Sequence, residues 1–200
     1  GNLDWLFDME TEEKNQGLSP KEIYKFVSDR IYGQDRAVKA ATMLLYNHIH
    51  AHKRNILFAG PTGCGKTEIW RVMSRLYPNI RIIDSTMLTM QGWSGSFKVR
   101  DIFSSMSQEE AEKAIIVFDE FDKFCEPLYG SNGTNYGAAA QNELLKLIEG
   151  GQIYFPADKG KPALELDSSG ISFVFCGSFE RLTDVKTCLL YTSDAADDLT

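Results

Sequence analysis

The sequence predicts an α/β fold in which helices flank a parallel β-sheet. Four short apolar runs have the length of buried strands, and they lie at 55–60, 80–84, 114–120 and 171–177. Segments with the helical spacing of apolar residues alternate with them. Strands that alternate with helices form parallel sheets, and such strands are apolar throughout because helices cover both faces.

Two helices are predicted before the first strand. Residues 1–18 form an N-terminal extension, and Ser19 follows it. Ser19, Pro20 and Glu22 predict a helix start, because they provide a cap, a suitable first helical residue and the second half of a capping box. After the turn "IYGQD", a second helix is expected from Ala37 to about Ile49.

The remaining elements lie between and after the strands. Helices are predicted at 67–77, near 97–106 and at 138–150, where a glycine ends the last one. The segment "SQEEAEK" at 107–113 is expected to be the solvated face of a helix or loop. The runs "QIYFP" and "ALELD" flank "ADKGK" and therefore predict a β-hairpin.

The composition predicts one soluble, cytoplasmic domain. The chain has 200 residues, enough for a sizeable core, and a net charge of −7, which disfavours nucleic acid as a partner. No apolar run approaches the ~20 residues of a membrane span. The scattered cysteines contain no CxxC pair, which disfavours a zinc ribbon and suits a reducing cytosol better than a disulfide framework.

The segment "GPTGCGKT" predicts a phosphate site between a strand and a helix. It matches the pattern G-x-x-x-x-G-K-[ST], whose glycines let backbone N–H groups converge on phosphate oxygens. Lys66 supplies a charge for the β- and γ-phosphates of ATP, and the Thr67 hydroxyl supplies a ligand for Mg²⁺. The predicted nucleotide-binding residues here are Gly60, Pro61, Thr62, Gly63, Cys64, Gly65, Lys66 and Thr67.

Two acids end the run "IIVFDE" and complete the predicted site. Asp119 falls at the C-terminal end of a strand, where ligands bind in open α/β sheets, and its carboxylate can hold the Mg²⁺ shell. Glu120 follows, placed to orient or deprotonate a water that attacks the γ-phosphate. A glutamate there favours hydrolysis over phosphoryl transfer to a small metabolite.

Two further motifs leave alternatives open. The histidines of "HIHAH" (48–52) have a spacing of two that suits ligands on a strand. They fall at the end of a predicted helix, however, which favours an interaction with its dipole. In "QGWSGSF" (91–97), glycines around Trp93 suggest a mobile loop, although packing of Trp93 into a local core is the alternative.

The motifs together resemble those of AAA+ ATPases, which have the P-loop NTPase fold, and within them the ClpX-type protein unfoldases. The resemblance covers about residues 19–182. It runs through "SPKEIYKFVSDRIYGQDRAVKAATMLLYNH", "GPTGCGKTE", "GWSG", "IIVFDEFDK", "QNELLKLIEGG" and "ISFVFCGSF". The related HslU-type unfoldases are the alternative assignment.

The resemblance implies a homo-hexamer that uses ATP to thread protein substrates through a central pore, with a partner protease of the ClpP type. It implies that Ile31 and Tyr32 contact the adenine, although core packing would also explain them. It places Gly92, Trp93, Ser94 and Gly95 in the first pore loop and "EPLYGSNGTNYG" (126–137) in a second.

The resemblance also concerns the predicted hairpin and the last strand. The "ADKGK" turn falls where the family has a basic substrate-recruiting loop, and only Lys159 and Lys161 keep that character here. Ser178 falls near the family's sensor position, although a simple turn serine would also explain it. The family sheet has the strand order 5-1-4-3-2, and its fifth strand is not found in this sequence.

The chain departs from the family pattern at both ends. The zinc-binding N-terminal domain, the arginine finger and the C-terminal helical lid are not found, so we expect 19–186 to be an incomplete large domain. Residues 187–200 are expected to be a non-native or disordered tail. The alternatives for function are a DNA-translocating AAA+ motor and a truncated nucleotide-binding module without turnover, and the 200-residue chain itself is expected to be inactive.

Overall fold

The computed structural model describes residues 17–60, 65–89, 97–125 and 136–179. The α-helices are α1 (Pro20–Ser28), α2 (Asp35–Ile49), α3 (Lys66–Met73), α4 (Gln108–Glu112), α5 (Phe121–Phe124) and α6 (Tyr136–Glu149). The strands are β1 (Asn55–Ala59), β2 (Ile80–Asp84), β3 (Leu88–Thr89), β4 (Phe97–Lys98), β5 (Ile115–Asp119), β6 (Gln152–Phe155), β7 (Leu164–Asp167) and β8 (Ser172–Gly177).

The central sheet confirms the predicted α/β class. Its four strands have the order β1-β8-β5-β2, and every neighbouring pair is parallel. The four predicted strands form this sheet in the order 1-4-3-2, as the family order implies. The register pairs Asn55 with Phe173 and Ile115 with Ser172.

Alternate side chains of each strand enter two separate cores, one on each face of the sheet. In β5, Ile115 and Val117 pack with α1, α2 and α3, whereas Ile116 and Phe118 pack against α6 and the hairpin. This alternation follows from the two-residue period of a strand. Trp70 of α3 is fully buried in the first core, where its ring lies 5.7 Å from that of Phe58.

The helix start predicted from "SPKE" is confirmed in detail. The Ser19 side chain accepts a hydrogen bond from the Glu22 backbone N–H, and the Glu22 carboxylate accepts one from the Ser19 N–H. Pro20 is the first helical residue, and Ile23 and Val27 turn into the core. Local sequence alone accounts for this start, because every contact lies within one turn.

The predicted helix near 97–106 is only partly correct. Residues 97–98 form β4, which pairs in parallel with β3, and a 3₁₀ turn follows at Val99–Phe103. The partner strand is formed by residues 88–89, and this tertiary contact favours a strand over a helix at 97–98. The predicted hairpin is confirmed, since β6 and β7 pair antiparallel around the turn.

Several sequence predictions fall on residues that the structure does not describe, including most of the N-terminal extension and the tail at 187–200. Within the described part, no helix is long and apolar enough to cross a membrane. Cys176 is a free, buried thiol. Cys125 takes part in a disulfide, although the scatter of the cysteines favoured a reducing cytosol over a disulfide framework.

Candidate functional site

A charged cleft of about 360 Å³ lies where β5 and β8 end and α3 begins. The carboxyl ends of parallel strands meet there with the amino end of a helix, which is where open α/β sheets bind ligands. Its lining comprises Gly65, Lys66, Thr67, Glu68, Arg71, Asp119, Glu120, Asp122, Lys123, Gly177 and Ser178.

Lys66 brings the cationic group to the cleft. Gly65 caps α3 in a left-handed conformation with a φ of 75°, which glycine adopts without strain. The Lys66 ammonium group donates a hydrogen bond to the Gly60 carbonyl, with Nζ 2.7 Å from the oxygen. The Gly60 N–H in turn donates to the Gly177 carbonyl at 3.2 Å, which fastens the end of β1 to the end of β8.

The two predicted acids face the same cleft from the end of β5. The Asp119 carboxylate accepts a hydrogen bond from the Glu120 N–H, with Oδ1 and N 3.0 Å apart. Glu120 has a φ of 53°, an uncommon conformation for a residue other than glycine. Its carboxylate lies 3.1 Å from Lys123 Nζ, and this hydrogen bond raises the pKa of Lys123.

Ser178 follows β8 directly and also lines the cleft. Its hydroxyl donates a hydrogen bond to Asp122 Oδ2 at 2.7 Å. Gly177 makes this approach feasible, because a Cβ at that position would lie 2.6 Å from Asp122 Oδ1. A hydroxyl, a carboxylate and a strand end are thus held together beside Asp119 and Glu120.

The cysteine beside this strand end is not a reactive group. Cys176 is fully buried next to the cleft. Burial, with a smaller contribution from the Asp119 charge, raises the pKa of its thiol to about 12. The thiol therefore stays protonated at neutral pH and packs as a small apolar side chain.

The lining groups suit a phosphate together with a hard divalent cation. Lys66 and the amino end of α3 favour an anion, whereas the Thr67 hydroxyl and the Asp119 carboxylate are oxygen donors. Mg²⁺ is held by one or two carboxylates and phosphate oxygens rather than by a full protein cage. The donor set therefore fits Mg²⁺ bound together with a nucleotide.

Some predicted site residues are not in this cleft. Ile31 packs partly buried against the core between α1, α2 and α3, and Tyr32 is fully exposed. Pro61, Thr62, Gly63 and Cys64 lie outside the described residues. So do Gly92, Trp93, Ser94 and Gly95, and most of the segment 126–137.

The histidine motif forms no metal site within the described residues. His48 is buried, and its two ring nitrogens lie 2.7 Å from the Ser172 hydroxyl and 2.7 Å from the Lys113 carbonyl. The carbonyl can only accept, so Nε2 carries the proton and Nδ1 accepts from Ser172. Both nitrogens are thereby engaged, and burial lowers the pKa of the ring.

Sequence reasoning missed five residues of the cleft, one of which is Gly177 at the end of β8. Asp122 and Lys123 follow "IIVFDE" directly, and their closeness to the strand end was the available signal. Glu68 and Arg71 lie on the first turns of α3 and form an ion pair at 3.0 Å. Their helical positions show that they share a face, but not that this face borders the cleft.

Known proteins resemble this chain over most of its length. Residues 56–187 match the model of the ATPase family associated with various cellular activities (AAA). Two curated relatives are the ATP-dependent Clp protease ATP-binding subunits ClpX of Porphyromonas gingivalis strains ATCC 33277 and W83, each 30% identical over 189 residues. The matches cover 82% of this chain and 46% of each relative, so the chain spans about half the length of these relatives.

Proposed function

The chain belongs to the AAA family of ATPases, and on this premise we propose that it is the nucleotide-binding part of an ATP-driven protein unfoldase of the ClpX type. The observation that carries the proposal is the cleft between β5, β8 and α3. It combines a lysine at a helix start with two acids at a strand end. Those groups supply phosphate binding and general-base chemistry in one place.

Four of the lining residues have a proposed role toward ATP. Lys66 would exchange its contact with the Gly60 carbonyl for one with the β- and γ-phosphates. Thr67 and Asp119 would hold Mg²⁺, which supplies positive charge to the phosphate oxygens during transfer. Glu120 would leave Lys123 and accept a proton from the attacking water.

Residues near the cleft complete the proposal. Ser178, held by Asp122, would contact the γ-phosphate side of the nucleotide as a sensor. Ile31 and Tyr32 would border the adenine, and the exposed ring of Tyr32 is available for that contact. Residues 62–64, which follow Pro61, would supply backbone N–H groups to the phosphates.

The first test separates nucleotide binding from turnover. Glu120→Gln keeps the size of the side chain but removes the base, so turnover should fall ~10²–10⁴-fold while nucleotide affinity persists. Lys66→Ala should weaken binding, because it deletes a charge that contacts the phosphates. Nucleotide titration and steady-state hydrolysis are measured on the assembled protein.

The control for this test is Glu68→Gln on the rim of the same cleft. It removes a carboxylate that pairs with Arg71, so both binding and turnover should remain near those of the unmodified protein. Equal loss of binding in the Glu120 and Lys66 variants would contradict the role given to Glu120. Binding without any turnover in the unmodified protein would favour the alternative of a binding module.

We propose that the segment around Trp93 grips the substrate polypeptide in a hexamer. An exposed indole contacts any passing chain by dispersion and apolar burial, which needs no particular sequence. Trp93→Ala should then abolish unfolding of a stable protein and spare melting and basal hydrolysis. If Trp93 packs in a core instead, its truncation should cost ~3–5 kcal/mol of folding free energy.

The proposal includes partners that the site itself does not reveal. A ring of six copies, protein substrates and a ClpP-type protease are inferred from the ClpX-type relatives. The rival is a DNA-translocating motor, which a net charge of −7 disfavours. Stimulation of hydrolysis by unfolded protein supports the unfoldase, whereas stimulation by DNA alone would contradict it.

A further inference from the structure

The segment 90–96 is bounded by two short strands that the structure describes. β3 and β4 pair in parallel, with Leu88 opposite Phe97 and Thr89 opposite Lys98. The residues on either side of the segment 90–96 are therefore neighbours in space. β4, which follows the segment, continues into the 3₁₀ turn Val99–Phe103, whose apolar residues are buried.

The charged side chains of β4 and of this 3₁₀ turn are buried rather than solvated. Lys98, Arg100 and Asp101 are 5%, 7% and 7% exposed. A buried charge is costly unless a partner compensates for the lost hydration. Three such residues in four positions therefore call for specific partners, and most of these come from the turn of the β6–β7 hairpin.

The three buried charged residues contact both arms of that turn. The Lys98 ammonium forms an ion pair with Asp158, and the Asp101 carboxylate pairs with Lys161 while also accepting the Lys98 N–H at 2.9 Å. Arg100 donates to the Pro156 carbonyl at 2.7 Å and also to the Pro162 carbonyl. One guanidinium group thus holds the two arms of the turn.

The turn is closed by its own backbone hydrogen bonds. Asp158 and Lys161 exchange two backbone hydrogen bonds, of 3.1 and 2.8 Å. Lys159 and Gly160 between them have φ values of 42° and 80°, as a tight hairpin turn requires. The hairpin is a separate sheet from the central one. Its position therefore depends on side-chain contacts such as these.

We propose that Lys98, Arg100, Asp101, Asp158 and Lys161 form a charged brace that fixes the C-terminal attachment of the segment 90–96 to the hairpin turn. The inference rests on the proposed function, in which that segment grips substrate. A pulling force on the segment 90–96 would then be transmitted through these contacts to the hairpin and to the core against which the hairpin packs. These five are positioning residues, and none of them lines the cleft.

The brace also assigns a role to a basic residue of the turn. Lys161 is one of the two lysines that could have recruited substrate, and its ammonium group instead contacts Asp101. Lys159, at the tip of the turn, is also exposed. The turn therefore serves mainly to hold β4 and the 3₁₀ turn after it, rather than to recruit substrate through both lysines.

Arg100→Gln is the sharpest variant for testing the brace. The partners of Arg100 are carbonyl groups, so its removal leaves no buried carboxylate without a cation. Loss of two hydrogen bonds from a charged donor should raise hydrogen exchange of residues 97–103 by about tenfold or more. Unfolding of a stable protein should fall sharply, while basal ATP hydrolysis should be unchanged.

A second variant covers the case in which Arg100→Gln does not fold. The Lys161 side chain is 54% exposed, so Lys161→Gln should fold, with exchange of 97–103 raised ~2–5-fold. Lys161→Arg should restore the original rates because it keeps the charge. The matched control is Lys159→Gln, which removes one exposed charge from the same turn and should alter neither exchange nor unfolding.

The outcomes distinguish the brace from the proposed function. Exchange and unfolding in the Lys161→Gln protein that match those of Lys159→Gln would overturn the brace. Faster amide hydrogen exchange together with normal unfolding of the substrate protein would overturn the role of the brace in gripping. Unmodified protein that hydrolyses ATP but unfolds no protein would refute the proposed function, and the exchange data would still report on the brace.

Discussion

The absence of a side chain at Gly177 determines how closely the end of β8 can approach Asp122. Gly177 ends β8 directly against Asp122, and a Cβ there would also lie 2.9 Å from the Phe179 ring. Phe179 is buried, and the Asp122 carboxylate is held by its hydrogen bond with Ser178, so both neighbours resist displacement. The position therefore requires glycine for space rather than for its backbone conformation.

Gly177→Ala should destabilise the fold and disturb the cleft together. Overpacking of this kind costs ~1–3 kcal/mol, which lowers Tm by roughly 2–10 °C in a domain of this size. Displacement of Asp122 should also break its bond with Ser178 and slow hydrolysis. Thermal melting and steady-state hydrolysis are the measurements.

Ser178→Ala is the matched comparison, because it removes the same hydrogen bond without adding an atom. It should slow hydrolysis with a smaller change in Tm. The steric account of Gly177 would be wrong if both variants melted at the same temperature.

At the scale of elements, His48 joins three parts of the fold that are distant in sequence. It lies in α2, contacts Ser172 at the start of β8, and donates to the Lys113 carbonyl just before β5. That carbonyl also accepts from the Tyr77 hydroxyl at 2.7 Å, and Ser172 accepts from the Arg54 N–H at 2.9 Å. The junction needs the neutral form of the imidazole.

The junction predicts a loss of stability in acid. Burial, and then the nearby charge of Lys53, hold the pKa of His48 below its usual 6.5, whereas the contact with Lys113 acts in the opposite direction. The unfolded chain therefore binds the proton more readily. The contribution of His48 is fully present above pH 6.5 and is lost as the pH falls through the folded pKa.

Thermal melting between pH 8 and pH 5 tests this expectation. His48→Gln keeps one donor and one acceptor but cannot gain a charge, so its Tm should fall less toward acid than that of the unmodified chain. His52→Gln, at an exposed position on the same motif, should follow the unmodified chain. A His48→Gln protein with an unchanged acid dependence would contradict the assignment.

At the scale of the whole molecule, the cleft joins parts of both cores. Asp119 ends a strand whose side chains alternate between the two cores, and Lys66 begins the helix that carries Trp70 into one of them. A ligand that contacts these groups binds only the folded chain. Its binding free energy is therefore added to the stability of the entire sheet.

ATP with Mg²⁺ should accordingly raise the Tm of the protein. Ligand at 100 times its Kd adds ~2.7 kcal/mol, or roughly 5–10 °C for a domain of this size. Chelation of Mg²⁺ should remove part of the shift. Scanning calorimetry with ATP, ATP plus chelator and no nucleotide measures both contributions.

Asp119→Asn and Thr67→Ala identify the groups that hold the ion. Each should retain a shift with ATP alone and lose the increment due to Mg²⁺, because each removes a proposed oxygen ligand. An increment of full size in both variants would show that Mg²⁺ is held elsewhere.

Much of the fold could be predicted from sequence because the relevant signals are local. The capping box of α1 lies within one turn, and the buried strands are short apolar runs that end at glycine or acidic residues. The phosphate motif likewise depends on consecutive residues, so Lys66, Thr67, Asp119 and Glu120 could be placed in one cleft in advance. The roles given to these residues remain predictions.

The rest depended on contacts between segments that are far apart in the chain. β4 forms only because β3 lies beside it, so the helical spacing near 97–106 was misleading. Asp122 meets Ser178, and Arg100 meets the hairpin turn, across 56 or more positions of sequence. The sequence determined the fold class and the phosphate motif, because hydrophobic period and turn chemistry act over a few residues. Tertiary structure alone decided which charges are buried and paired, because desolvation and pairing depend on where distant segments pack.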